Sequence, residues 1–109
     1  MWHDLKPTEN DTALTLRELP PGARLCVKVA GKSIVVFNLD GKLLAVANTC
    51  PHAGQPLDEG ELRGKVLTCP YHGYAYRIDT GANIDFPHEE PPVKTYEVRV
   101  EDGAVQVKC

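Results

Sequence analysis

The sequence predicts an all-β protein: a small antiparallel sandwich or barrel scaffold carrying an inserted loop-rich subdomain. Three observations predict it. Apolar and polar residues alternate at period two in short runs rich in valine and isoleucine, the pattern of half-buried strands. Turn signals recur at short intervals, among them Leu19-Pro20-Pro21-Gly22, Asp40-Gly41 and Glu101-Asp102-Gly103. The segment 49–92 holds five of the nine glycines and six of the nine prolines, which leaves room only for short strands between loops. A chain of 109 residues fits one domain, 1–109, and a second independent core is not expected.

Along the chain, residues 1–14 are polar and without periodicity, and read as an N-terminal arm or irregular lead-in. Arg24-Leu25-Cys26-Val27-Lys28-Val29 alternates and reads as a half-buried strand. Ala30-Gly31-Lys32 turns the chain into Ser33-Ile34-Val35-Val36-Phe37-Asn38-Leu39, a run apolar enough for burial on both faces. Asp40-Gly41 is a two-residue hairpin signal leading to Lys42-Leu43-Leu44-Ala45-Val46-Ala47. Residues 24–48 therefore read as a three-stranded meander. In the middle segment, Gly64-Lys65-Val66-Leu67-Thr68 and Tyr74-Ala75-Tyr76-Arg77-Ile78 are the strand candidates. Residues 93–100 and 104–108 alternate again around Glu101-Asp102-Gly103 and read as a closing hairpin.

Composition narrows the function classes. Twelve basic against fifteen acidic residues give a net charge of −3, and the basic residues are scattered, so nucleic-acid binding is not expected. No apolar run approaches the roughly 20 residues of a membrane span, so membrane insertion is not expected. The N-terminus has no apolar signal core, which makes the cytoplasm the expected location. The four cysteines, Cys26, Cys50, Cys69 and Cys109, are then expected as free thiols or ligands and not as disulfides.

Two of them carry the chemistry. Cys50-Pro51-His52 and Cys69-Pro70-Tyr71-His72 each pair a thiol with an imidazole, with sixteen residues between His52 and Cys69. Thiolate and neutral imidazole are metal ligands, and a [2Fe–2S] centre in which two histidines replace two cysteines on one iron needs this set. Pro51 and Pro70 stiffen each loop after its cysteine. Gly54 and Gly73 follow each histidine, where backbone must approach a cluster closely.

At these residues the chain resembles the Rieske proteins. The flanking text, Asn48-Thr49-Cys50-Pro51-His52-Ala53-Gly54 and Cys69-Pro70-Tyr71-His72-Gly73-Tyr74, is similar to theirs, and the resemblance runs from about 16 to 107. It implies one [2Fe–2S] cluster in a subdomain at about 46–88, with Cys50 and Cys69 on one iron and His52 and His72 on the other. It also implies a one-electron carrier with no catalytic residues of its own. The resemblance is to the soluble ferredoxins that pass electrons from a flavin-containing reductase to a terminal oxygenase. Similar small proteins serve as the small subunit of nitrite reductases, and that setting is the alternative. Respiratory Rieske proteins carry two further cysteines joined as a disulfide, and the matching positions here are Gln55 and Tyr71. Where they have a serine bonding a bridging sulfide, this chain has Tyr74, while Tyr76 matches a tyrosine that bonds a ligand cysteine.

Two rivals stand beside this reading. Two cysteines and two histidines satisfy structural zinc by count, but common zinc fingers place a cysteine pair before a histidine pair, whereas here the types interleave. An iron oxygenase site needs two further histidines and a carboxylate, and only His3 and His88 remain. His88 lies in Phe86-Pro87-His88-Glu89-Glu90-Pro91-Pro92, which resembles the family's proline-containing third loop. Asp58, Glu59, Glu61, Glu89 and Glu90 form either an acidic rim for a basic partner or a solvated edge. Because sulfur donors are fewer here than in respiratory proteins, the reduction potential is expected at the low end of the Rieske range, roughly −150 to 0 mV. Protein-film voltammetry checks this, and a value above about +200 mV overturns it.

Overall fold

Three two-residue turns set the strand registers. Ala30-Gly31, Asp40-Gly41 and Asp102-Gly103 all have positive φ at both positions (51° and 79°, 52° and 94°, 51° and 80°), the conformation whose twist matches that of flanking strands. The computed structural model describes residues 2–4, 19–51, 54–71 and 73–108. Through the first two turns β2 (Arg24–Val29), β3 (Lys32–Leu39) and β4 (Lys42–Ala47) form the expected meander, pairing Arg24 with Phe37 and Leu39 with Lys42. Asn38, at the second turn, is buried; its Oδ1 accepts from Gly41 N–H (2.7 Å) and its Nδ2 donates to the Leu19 carbonyl (2.7 Å).

The described residues form an all-β molecule of three antiparallel sheets. The first sheet has the order β2-β3-β4-β8, the last strand being Thr95–Tyr96. The second has the order β1-β10-β9, formed by Trp2–Asp4, Ala104–Lys108 and Val98–Glu101. The third, β5-β6-β7, is formed by Glu61–Arg63, Val66–Thr68 and Ala75–Arg77. Strand β3 is covered on both faces. Ile34 and Val36 join Leu19, Val27, Val29, Ala45, Val105 and Val107 in one core. Val35 and Phe37 join Val46, Leu57, Leu67, Tyr76, Ile78, Val93 and the two cysteines Cys50 and Cys69 in a second.

The structure departs from the sequence reading in three places. Trp2–Asp4 is an edge strand on β10 and not irregular lead-in; the remainder of the expected arm, 5–14, lies outside the described residues. Three residues are too few to show a period, and the strand exists because β10 offers it a free edge. The Trp2 ring lies 4.2 Å from the Arg99 guanidinium, and Asp4 accepts from Gln106 (2.6 Å). The closing hairpin forms, Val98–Glu101 pairing with β10 through Asp102-Gly103, but the 93–100 run does not enter it whole: Thr95–Tyr96 pairs with β4. A strand that switches sheets at one residue closes a corner of a sandwich, and its alternation reads the same on either side of the switch. In the middle segment Gly64 and Lys65 are a turn, and Glu61–Arg63 before them supplies the additional strand β5.

Gly81 holds the segment after β7 against the scaffold. Its N–H donates to the Arg77 carbonyl (2.7 Å), its carbonyl accepts from Val93 N–H (2.8 Å), and its φ is +86°. A Cβ at this position would run into the Val93 carbonyl. Gly81→Ala is expected to destabilise the protein by about 2–4 kcal/mol, combining left-handed strain with the collision. Urea unfolding checks this, and a loss below about 0.5 kcal/mol would contradict the packing described.

Candidate metal centre

The two cysteine loops are built alike. Cys50 lies three residues past the end of β4 and Cys69 directly follows β6; both are buried in the second core, at 0% and 1% exposure. In the first loop Cys50 N–H donates to the Gln55 carbonyl (2.6 Å) and Gly54 N–H to the Cys50 carbonyl (2.7 Å). In the second, Cys69 N–H donates to the Tyr74 carbonyl (2.7 Å) and Gly73 N–H to the Cys69 carbonyl (3.1 Å). Gly54 and Gly73 occupy equivalent places with φ of 73° and 74°, a conformation that glycine adopts without steric cost. The repeated motif in the sequence is thus a repeated fold of the backbone. His52 and His72, the other two expected ligands, lie outside the described residues.

Tyr76, fully buried on β7, brings its hydroxyl within 3.6 Å of Cys50 Sγ. Burial pushes the phenol well above the usual tyrosine range, and the adjacent Cys50 pushes it further; Cys69 adds a smaller push in the same direction, and the Asn83 amide opposes it. The phenol therefore keeps its proton, and in its contact with the Cys50 thiol either group can be the donor. This is the contact that the resemblance implied for Tyr76. Cys26, Cys50 and Cys69 are free thiols.

Two asparagines that the sequence reading did not single out organise the loops. Asn48 Oδ1 accepts from Leu57 N–H (2.7 Å) and Asp58 N–H (2.8 Å), closing the far side of the first loop. Its Nδ2 faces Cys26 Sγ (3.3 Å) and Ser33 Oγ (3.4 Å) on the scaffold strands. Cys26, which has no role in the sequence reading, is thus part of the seat for Asn48. Arg24 adds a second tie, donating to the carbonyls of Asp58 (3.1 Å) and Gly60 while its guanidinium lies over Phe37. Asn83 shapes the third loop, its Oδ1 accepting from Asp85 N–H (3.0 Å) and Phe86 N–H (2.8 Å). The only local signal for either residue is a short amide side chain, a turn former, beside a strand end or turn.

The remaining candidates divide by exposure. Tyr74 is half-buried and packs edge-on against Phe86, with ring centroids 6.2 Å apart, so it walls the site. Tyr71 is 56% exposed and does not. Pro87 and His88 lie exposed on the third loop. Glu61, of the expected acidic rim, pairs with Arg63 at 2.6 Å.

Residues 12–97 match the Rieske [2Fe–2S] domain family. The ferredoxin component of the naphthalene 1,2-dioxygenase/salicylate 5-hydroxylase systems of Ralstonia sp. is 32% identical over 96 residues, covering 88% of this chain and 91% of that protein. Among solved structures, a chain in the complex of reduced oxygenase and oxidized ferredoxin of carbazole 1,9a-dioxygenase superposes with a TM-score of 0.80 at 29% identity, covering 97% of this chain and 91% of the other. The ferredoxin of carbazole 1,9a-dioxygenase from Nocardioides aromaticivorans IC177 gives 0.76 at 30% identity, covering 86% and 91%.

Because Asn48 satisfies two loop amides that would otherwise be left unpaired, Asn48→Ala is expected to cost about 2 kcal/mol in urea unfolding. Asn48→Asp keeps the acceptor and is expected to retain more than half of that stability. Equal losses in the two variants would show that the acceptor bonds do not hold the loop.

Proposed function

The chain belongs to the Rieske [2Fe–2S] domain family, and on that premise we propose that Cys50, His52, Cys69 and His72 hold its cluster. The two thiolates bind one iron and the two imidazoles the other, within a cluster-binding segment at about 46–88 of a single domain spanning 1–109. The observation that carries this reading is the pair of twin loops, each presenting a buried free cysteine from the same core. The described residues fit such a group: two thiols at the loop bases, and a protonated phenol beside one of them, able to donate once that sulfur is a thiolate. Family membership favours the cluster over the structural zinc alternative.

The function is one-electron transfer as the ferredoxin component of a multi-component dioxygenase system, with electrons passing from a reductase, flavin-containing in this reading, to the terminal oxygenase. When bound, the cluster supplies a one-electron change, and its two neutral imidazoles leave the oxidised form formally uncharged, which makes it easier to reduce than an all-cysteine centre. The chain's own residues do the rest. Cys50 and Cys69 hold their sulfurs away from water, and Tyr76 keeps a proton directed at Cys50. The two loop closures hold the backbone around both thiols in one geometry. Exposed Tyr71 and Phe86 offer apolar contact to a docking partner beside the second loop. The location proposed with this role is the cytoplasm, where Cys26, outside the ligand set, remains a thiol.

The test is iron and acid-labile sulfide per chain, with EPR after dithionite reduction. Two irons, two sulfides and a rhombic signal are expected. His52→Ala and His72→Ala should each abolish the centre and its visible absorption. One zinc without sulfide, or an unchanged spectrum in the two histidine variants, overturns the assignment.

A further inference from the structure

Leu57 to Gly60 form a tight turn, closed by a bond from Gly60 N–H to the Leu57 carbonyl (2.9 Å), and the turn touches the surroundings of both cysteines. Leu57 is fully buried in the core that contains Cys50 and Cys69. Gly60 packs so close to β6 that a Cβ there would run into the carbonyl of Thr68, the residue before Cys69. Two more amides and two more carbonyls of the turn are taken by two side chains. Asn48 Oδ1 accepts from the amides of Leu57 (2.7 Å) and Asp58 (2.8 Å). Arg24 donates to the carbonyls of Asp58 (3.1 Å) and Gly60. Both side chains are themselves seated on the scaffold. Asn48 N–H donates to the Ser33 carbonyl (2.9 Å), and its Nδ2 faces Ser33 Oγ (3.4 Å) and Cys26 Sγ (3.3 Å). The Arg24 guanidinium lies 5.4 Å from the centroid of the Phe37 ring.

The turn offers Asn48 only N–H donors, and the scaffold offers it lone pairs, so one orientation of the amide satisfies both ends. A turn fixed at its donors by one residue and at its acceptors by another cannot shift without leaving polar groups unpaired. We propose that this turn is a clasp that sets the separation of the two cysteine loops, and that Asn48 and Arg24 are positioning residues of the centre, acting on it through the turn. The inference rests on Cys50 and Cys69 being cluster ligands, as proposed above. Asn48 stands two residues before Cys50 and binds the chain seven and eight residues after it, so it holds both ends of the first ligand loop. Without the clasp that loop opens locally while the scaffold stays folded, and the cluster is lost through the opening.

The test reads the half-life of the visible absorbance of cluster-loaded protein under an iron chelator, with the EPR spectrum of each reduced variant. Asn48→Ala, and Arg24→Met, which removes the donors but keeps an apolar stem over Phe37, are each expected to shorten the half-life about tenfold and to broaden the rhombic signal. Asn48→Asp, which keeps the acceptor, should stay within about threefold of the wild type. Because both residues act on one turn, the double variant should fall within about threefold of the worse single variant. Val107→Ala, a truncation in the scaffold core, lowers global stability and should leave the half-life within about threefold of the wild type and the EPR signal unchanged. The proposal is overturned if Val107→Ala acts as strongly as Asn48→Ala, or if Asn48→Asp retains the cluster no longer than Asn48→Ala. Effects that multiply in the double variant, or an EPR signal as sharp as the wild type's in both single variants, also overturn it. If Asn48→Ala fails to load, Arg24→Met is set against Val107→Ala with the same expectations. Wild-type protein lacking iron and sulfide would overturn the ligand assignment instead, and that result is read before any variant is compared.

Discussion

Five consecutive residues of β3, Ile34 to Asn38, are buried, and the rest of the molecule depends on that double coverage. Alternate side chains of the strand enter two different cores: Ile34 and Val36 the scaffold core, Val35 and Phe37 the core beneath the candidate centre. Each such side chain contributes about 1.5–3 kcal/mol when removed from water. The strand therefore binds site and scaffold into one packed body, and the thiols rest on a surface that the scaffold already holds in place. An electron carrier benefits from this, because little has to move when charge arrives.

The site repeats one backbone solution twice. Each cysteine amide closes onto a carbonyl five residues ahead, and a glycine four residues on turns back to the cysteine carbonyl. The loops differ in what braces them from behind. The first is fastened by Asn48 and Arg24 to residues of the scaffold strands. The second leads directly into β7, whose Tyr76 returns to the first loop's cysteine. Tyr76 thus links the two halves, and its burial keeps it protonated where a charged phenolate would repel thiolate sulfur.

Short amide side chains do much of the fastening. Asn38 ties the Asp40-Gly41 turn to Leu19, Asn48 ties the first loop to strands β2 and β3, and Asn83 ties the third loop to the bridge beside Tyr76. In each case one side chain satisfies backbone amides that a loop-rich segment would otherwise leave unpaired. The arrangement compensates for a third sheet of only three-residue strands, too small to be stable by ladder bonding alone.

What the sequence determined by itself is what depends on neighbours along the chain. Period-two alternation and the turn dipeptides were sufficient for the β2-β3-β4 meander in its register. The matched cysteine–histidine runs carry the proposal for the centre and its chemistry, because both ligand types in each loop lie within four residues of one another. What only the tertiary structure decided depends on partners brought close by folding. Trp2–Asp4 became a strand because β10, about a hundred residues away, had an open edge. The 93–100 run divided because two sheets compete for it. Asn48 and Asn83 acquired their roles from groups that no spacing rule connects to them. Hydrogen bonds and cores are satisfied in space, so local pattern specifies the pieces and their turns, while the assignment of each buried polar group to its partner waits for the packed chain.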